Sequence, residues 1–199
     1  FRANCGHCHH CVVGRPVLCD GIDTPRFQMF DGTVRFHRNG NDINQMARTS
    51  CFAEYTVVPE SGAVPVRKDM PLAAACLTGC AVMTGVGAVI NTARMPAGSN
   101  IAVIGCGGVG LNVVQGGVLA GADRIIAIDT LDNKLEYAKQ FGATDVVNAG
   151  NGDTAARVVE MTNGGVDYAL VAVGSGKAIE QAYEMCRLGG TTVVVGMAP

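Results

Sequence analysis

Six residues, Gly105-Cys106-Gly107-Gly108-Val109-Gly110, constrain the fold of this chain more than any other stretch because of what flanks them. Asn100 to Gly105 is short and apolar, the pattern of a buried strand, and Gly108 to Ala120 carries a helical period. The alternation then continues: strand Arg124 to Asp129, helix Leu131 to Phe141, strand Thr144 to Asn148, helix Thr154 to Thr162 capped by Asp153, strand Val166 to Gly174, helix Lys177 to Arg187, strand Thr191 to Gly196. Strands separated by helices pair in parallel through right-handed crossovers, so the expected fold class is α/β with a doubly wound parallel sheet.

In that setting the glycines have a chemical reading. Gly105 permits a tight turn off the first strand, Gly107 lets the backbone approach a pyrophosphate, and Gly110 lets the helix pack close on the sheet. Gly108 and Val109 open that helix, whose free N–H groups and positive end suit phosphates. The next strand ends in Asp129, nineteen residues beyond Gly110. A carboxylate there accepts both ribose hydroxyls of NAD and repels the extra phosphate of NADP, and no arginine adjoins it to offset the repulsion. The plainer alternative is that Asp129 caps a strand end.

A second constraint stands near the start of the chain, where Cys5, Cys8, Cys11 and Cys19 follow the spacing Cys-x2-Cys-x2-Cys-x7-Cys. Four thiolates fill a tetrahedral zinc shell and leave no position for water or substrate, so this spacing reads as a structural zinc site. Disulfides and an iron–sulfur cluster compete for the same thiols; the crowding into nineteen residues and the lack of a second-cluster spacing weigh against them. His7, His9 and His10 read as exposed loop residues, and nothing around His37 argues for a metal role. Cys76, Cys106 and Cys186 lie in apolar stretches and read as buried core.

Up to about residue 50 the chain is rich in turn-forming pairs such as Asp20-Gly21 and Asn39-Gly40. Phe52 to Val58 then alternates as a strand, a shorter strand is expected over Ala63 to Val66, and Pro71 opens a helical run leading past Cys80 toward Ala88-Val89-Ile90. With 199 residues, 48% of them hydrophobic, there is material for one domain and part of a second. A net charge of -2 gives no electrostatic case for nucleic acid or an anionic membrane. Apolar runs such as Ile101 to Ile104 and Thr191 to Gly196 are too short to span a bilayer, and no signal-peptide core follows Phe1-Arg2-Ala3-Asn4. The expectation is a cytoplasmic protein with no nucleic-acid or membrane partner.

Together with Phe52-Ala53-Glu54-Tyr55, Leu77-Thr78-Gly79-Cys80 and the pair Asp129 and Lys134, these motifs resemble the zinc-dependent medium-chain alcohol dehydrogenases along essentially the whole chain. The class III type, the glutathione-dependent formaldehyde dehydrogenases, is the closest in flavour. The resemblance implies the C-terminal part of a GroES-like β domain with its structural-zinc lobe over 1–66, a connecting helical segment over 67–98, and an NAD-binding Rossmann domain over 99–199. Cys80, which its surroundings alone would make a buried core cysteine, becomes by resemblance one of three protein ligands of a catalytic zinc. Thr84 would lie beside the nicotinamide, Lys134 would assist Asp129 at the adenosine ribose, and Val173-Gly174 and Val195-Gly196-Met197 would line the cofactor cleft.

The activity implied is hydride transfer from an alcohol or S-hydroxymethylglutathione to NAD, with zinc acting as a Lewis acid on the alcohol oxygen. The partners implied are a small-molecule alcohol or aldehyde and, for the intact protein, further copies of itself. Family members begin well upstream of the cysteine lobe, where the other catalytic-zinc ligands lie, and continue past the fifth parallel strand. The chain is therefore expected to be an internal fragment, inactive alone. Two other classes share its motifs: a non-catalytic NAD- and zinc-binding protein, and a thiol-redox zinc module with readily oxidised cysteines.

Overall fold

A computed structural model of the chain describes residues 3–25, 27–50 and 52–198, so Phe1 and Arg2 lie outside the described residues. The chain divides into two compact units, residues 1–72 and 73–199.

In the first unit, the cysteine lobe carries a short helix α1 (His9–Val12) and a 3-10 turn, Pro16–Leu18. Farther on, β1 (Phe36–Arg38) and β2 (Asn41–Ile43) form an antiparallel hairpin. Its turn residues Asn39 and Gly40 have φ of 52° and 78°, the positive pair whose twist matches that of the flanking strands. His37 sits opposite Asp42, with Nδ1 2.9 Å from Oδ1. The sequence marks this turn but not the hairpin, because strands of three residues carry too little alternation to read. The strands expected over Phe52 to Val58 and Ala63 to Val66 do not form. Phe52, Tyr55, Val57 and Val64 stand exposed, and among the described residues no neighbouring strand offers their backbone a ladder.

The second unit opens with a continuous helix, Leu72–Ala93, in which α2 (Leu72–Leu77) and α3 (Met83–Gly87) alternate with π-helical turns at Thr78–Val82 and Ala88–Ala93. It stops where Arg94 turns left-handed ahead of Pro96. At 22 residues and a mean hydropathy of 1.9, this helix is long and apolar enough, by length and composition, to cross a membrane. That corrects the expectation that no apolar run reaches such a length: its interspersed alanines, glycines and threonines concealed it. Core helices share the same length and composition.

Then follow β3 (Asn100–Ile104), α4 (Gly108–Leu119), β4 (Arg124–Asp129), α5 (Asp132–Gln140), β5 (Asp145–Asn148), α6 (Thr154–Met161), β6 (Val166–Val171), α7 (Gly176–Glu184) and β7 (Cys186–Val194). The five strands form one parallel sheet in the order β5-β4-β3-β6-β7. This is the expected doubly wound α/β architecture, with ends displaced by a few residues. The largest displacement is β7, which begins at Cys186 rather than Thr191 because it pairs early, Val166 with Cys186, and shifts register before Tyr168 meets Thr191.

Alternate residues of the strands feed two apolar layers. Ile101, Val103, Ile125 and Leu170 join Val113, Val114 and Leu135 on one face. Ala102, Ile104, Ile126 and Val171 join Val158, Ala182 and Met185 on the other. Each fully buried valine, leucine or isoleucine contributes about 1.5–3 kcal/mol of transfer free energy, so the central strands are held from both sides. The long helix docks on α4 through small residues: a Cβ added at Gly85 would stand 2.6 Å from the Asn112 Cβ. Asp153 caps α6 as expected, accepting from Ala156 N–H at 3.0 Å. Arg124 ties β4 to β5, donating from Nε and Nη2 to the Asp145 carboxylate at 2.8 Å each and from Nη1 to the Met161 carbonyl.

Candidate functional site

In the first unit, backbone amides turn onto the cysteine sulfurs. Cys8 N–H donates to Cys5 Sγ and Cys5 N–H donates to Cys19 Sγ, each at 3.3 Å. All four sulfurs lie within 4.8 Å of one another, with Cys8–Cys11 at 3.4 Å, Cys8–Cys19 at 3.9 Å and Cys5–Cys11 at 4.0 Å. A zinc ion bonded tetrahedrally to four sulfurs at about 2.3 Å sets them about 3.8 Å apart, so the donor set fits one such ion. The same span leaves no room for a multi-iron cluster, and no cysteine pair among the described residues is bonded as a disulfide.

Amide donation from His7 and Cys8 holds the Cys5 thiol down to about 7, and the amides of Cys11 and Asp20 lower that of Cys8. Burial and the shared Cys8 hydrogen bond push Cys11 up to about 12. A hydrogen bond from the Cys8 thiol holds the Asp20 carboxyl below its ordinary range, and Asp20 Oδ2 lies 3.8 Å from His10 Nε2. His9 and His10 start α1 rather than lying in a loop, and His10 is half-buried. None of the three histidines joins the sulfurs. Gly21 walls one side of the cage: a Cβ there would stand 2.5 Å from Cys5 Sγ. The sequence reading took Asp20-Gly21 as a turn pair and missed its place against the cage, for which its only signal is that it follows Cys19 directly.

In the second unit, the chain leaves β3 at Gly105 with φ of +95°, and Gly105 N–H donates to Ile128 O at 2.7 Å. A Cβ at Gly110 would overlap the Gly105 carbonyl oxygen, so the close packing of α4 against the turn requires that glycine; a Cβ at Gly117 would likewise meet Ile101 and Ile125 of the sheet, at 2.8 and 3.1 Å. Nothing lies within 4 Å of a Cβ placed at Gly107 or Gly108, which leaves an open cradle before Val109 in the first turn of α4. It stands beside the boundary between β3 and β6, where the strand order reverses and doubly wound sheets bind their ligands.

Asp129 ends β4 behind this turn. Its Oδ2 accepts from Cys106 N–H at 2.8 Å and its Oδ1 from Leu131 N–H at 3.1 Å. Lys134 Nζ stands 3.9 Å from Oδ2. Cys106 is buried as expected, and burial pushes its thiol up to about 12. The ends of β6 and β7 close on the same turn, since side chains at Gly105, Gly174 and Gly196 would run into Val173, Met197 and Val173 respectively. Thr84 and Val195 share a groove of about 350 Å³, also lined by Met83, Asn91 and Val193.

Cys80 is exposed on the first π-helical turn, and Cys76 is exposed on α2. The core reading of Cys76 fails because the long helix buries a different face, at Gly85, Ala88 and Val89. Cys186 is only partly buried, its Sγ 3.3 Å from Ala182 O. Among the described residues, no set of further metal-binding side chains gathers about Cys80.

Residues 108–199 match the profile of the zinc-binding dehydrogenases. The whole chain is 42% identical to an S-(hydroxymethyl)glutathione dehydrogenase of Saccharomyces cerevisiae, covering 54% of that protein, and 41% identical to an alcohol dehydrogenase class-3 of Cereibacter sphaeroides, covering 56%. Among solved structures, a benzyl alcohol dehydrogenase from Acinetobacter calcoaceticus superposes with a TM-score of 0.85 at 34% identity, over all of this chain and 54% of that one. An alcohol dehydrogenase zinc-binding domain protein from Burkholderia ambifaria superposes with a TM-score of 0.87 at 35% identity and the same coverage. The chain spans about half the length of the curated relatives it matches. With its cysteine cage, glycine turn and parallel sheet, the chain belongs to the zinc-binding medium-chain alcohol dehydrogenase family.

Proposed function

We propose that the chain is the cofactor-binding and structural-zinc part of an NAD-linked, zinc-dependent alcohol dehydrogenase that passes hydride from an alcohol or S-hydroxymethylglutathione to NAD. The observation that carries this reading is the open glycine turn with the Asp129 carboxylate fixed behind it at the reversal of strand order. The uncovered backbone of Gly107 and Gly108, followed by the free amides of α4, suits a pyrophosphate. Asp129 would accept the ribose hydroxyls, with Lys134 beside it. Val173, Gly174, Gly196 and Met197 would border the nicotinamide half, and Thr84 and Val195 would bound it from their shared groove.

The four-cysteine cage has no free coordination position, so its ion would hold the lobe together rather than meet substrate. Cys80 would supply one ligand of a second zinc, with its other ligands provided by the remainder of a longer parent protein. Such an ion would supply Lewis acidity toward an alcohol oxygen. The names of the relatives support a hydroxymethylglutathione or aromatic alcohol substrate, and the parent enzyme would assemble as a homo-oligomer.

Binding of NAD and NADP to the purified chain, followed by calorimetry, tests this reading. Tighter binding of NAD supports it; NADP binding as tight or tighter, or no dinucleotide binding, overturns it. The parent protein assayed with S-hydroxymethylglutathione, benzyl alcohol and ethanol would then rank the substrates.

A further inference from the structure

We propose that Asp132, pinned by Asn148, is a second determinant of cofactor choice: a carboxylate in the first turn of α5 that keeps a 2′-phosphate off the helix end beside the ribose. This inference rests on reading the glycine turn and Asp129 as a dinucleotide site, and deepens it by two residues. α5 opens at Asp132, and its N-cap residue, Leu131, has no side chain to close the first turn. Leu131 N–H turns back onto Asp129 Oδ1 at 3.1 Å, so the helix starts beside the carboxylate that would take the ribose hydroxyls. The extra phosphate of NADP is bonded to the ribose 2′ oxygen and would arrive at this end, where free amides and the positive end of the helix dipole attract phosphate. Left bare, the helix would work against the exclusion expected of Asp129.

Asp132 resolves that conflict. Its side chain is exposed, where a carboxylate ordinarily samples several rotamers, but Asn148 Nδ2 donates to its Oδ1 at 2.6 Å. Asn148 Oδ1 in turn accepts Gly150 N–H at 2.8 Å. Both ends of the amide are therefore committed, and a flipped amide would turn its NH2 group against the Gly150 N–H. Asn148 is the last residue of β5 and the register partner of Asp129, so pairing of the two strands sets the pin at the same end of the sheet. Lys134 Nζ, 3.9 Å from Asp129 Oδ2, sets one positive charge against the two carboxylates. The helix end is thus negative toward a phosphate dianion, while the ribose hydroxyls of NAD, being neutral, are spared.

The test is calorimetric binding of NAD to the full chain, with NADP measured by displacement of NAD, at low and at high salt. Asp132→Asn removes the charge but keeps an oxygen to accept from Asn148. It is expected to lower the Kd for NADP about tenfold at low salt, the scale of a dianion gaining a helix N-terminus, and by less at high salt. The Kd for NAD should not move. Asn148→Ala frees the carboxylate without removing its charge and should give a smaller gain for NADP alone. Glu160→Gln, the same change of charge in the last turn of α6, should alter neither. Unchanged NADP binding in Asp132→Asn overturns the proposal, as does an equal shift for both cofactors or a gain that salt leaves intact. Wild-type NADP binding in Asn148→Ala overturns the pinning. If the wild-type chain binds neither dinucleotide, or prefers NADP, the NAD reading falls and this inference with it; NAD binding with an unmoved NADP affinity sinks the inference alone.

Discussion

Asp129→Asn separates two duties of one carboxylate. In the free protein Asp129 receives Cys106 N–H on one oxygen at 2.8 Å and Leu131 N–H on the other at 3.1 Å. A carboxamide keeps one acceptor and turns an NH2 group toward the second amide, so one bond to a charged acceptor is lost at a side chain only 8% exposed. Such a bond contributes about 1.5–3 kcal/mol. The unit that must unfold spans residues 73–199, and its unfolding entropy of about 0.27 kcal/mol/K converts that loss into a Tm lower by about 6–11 °C. Scanning calorimetry of the zinc-loaded chain reads this directly. If the same carboxylate accepts the ribose hydroxyls of NAD, losing a comparable bond raises the Kd by about 10- to 150-fold. An unchanged Tm would refute the clamp on the glycine turn. A lowered Tm with an unchanged Kd would keep the clamp and sink the ribose role.

Gly110→Ala forces a methyl onto the Gly105 carbonyl; a stability loss of about 1–3 kcal/mol or more in urea unfolding is expected, together with loss of NAD binding. Asp145 is held below its ordinary range chiefly by its hydrogen bond from Arg124, so its stabilising contribution is whole above the unfolded pKa of about 3.9 and is lost as pH falls through the lower folded value. Asp145→Asn should therefore lower the Tm at pH 7 and flatten the acid limb of the stability curve; an acid limb identical to wild type would contradict this. Elemental analysis should find one zinc per chain, unaltered by Cys80→Ala, because only one metal-holding set exists among the described residues; a second equivalent lost in that variant would show that Cys80 recruits other ligands. Chelation under reducing conditions should melt the cysteine lobe and leave the transition of residues 73–199 in place, since all four thiols belong to the other unit.

The parallel sheet was legible because the central strands β3 and β4 are short and apolar, as strands buried on both faces are, and because a helix separates each strand from β3 to β7 from the next. Asp153 was legible as a cap because capping is local chemistry between a side chain and an amide three residues on. Phe52 to Val58 was misread for the complementary reason. Its alternation favours a strand, yet a strand exists only where another backbone accepts its hydrogen bonds, and among the described residues none is there. Cys76 was misread as core because apolar neighbours in sequence do not say which side of a helix is covered.

Covalent spacing and local periodicity are one-dimensional properties, and they alone determined the alternation of strands and helices, the four-thiol set and the glycine turn. What lies against what is decided only when distant segments meet. Tertiary structure therefore decided that the sulfurs converge to within 4.8 Å, that Cys106 N–H and Leu131 N–H close on Asp129, and that His10 reaches Asp20. The physical reason is that a hydrogen bond or a coordination sphere fails over a fraction of an ångström, a precision that no pattern along the chain encodes.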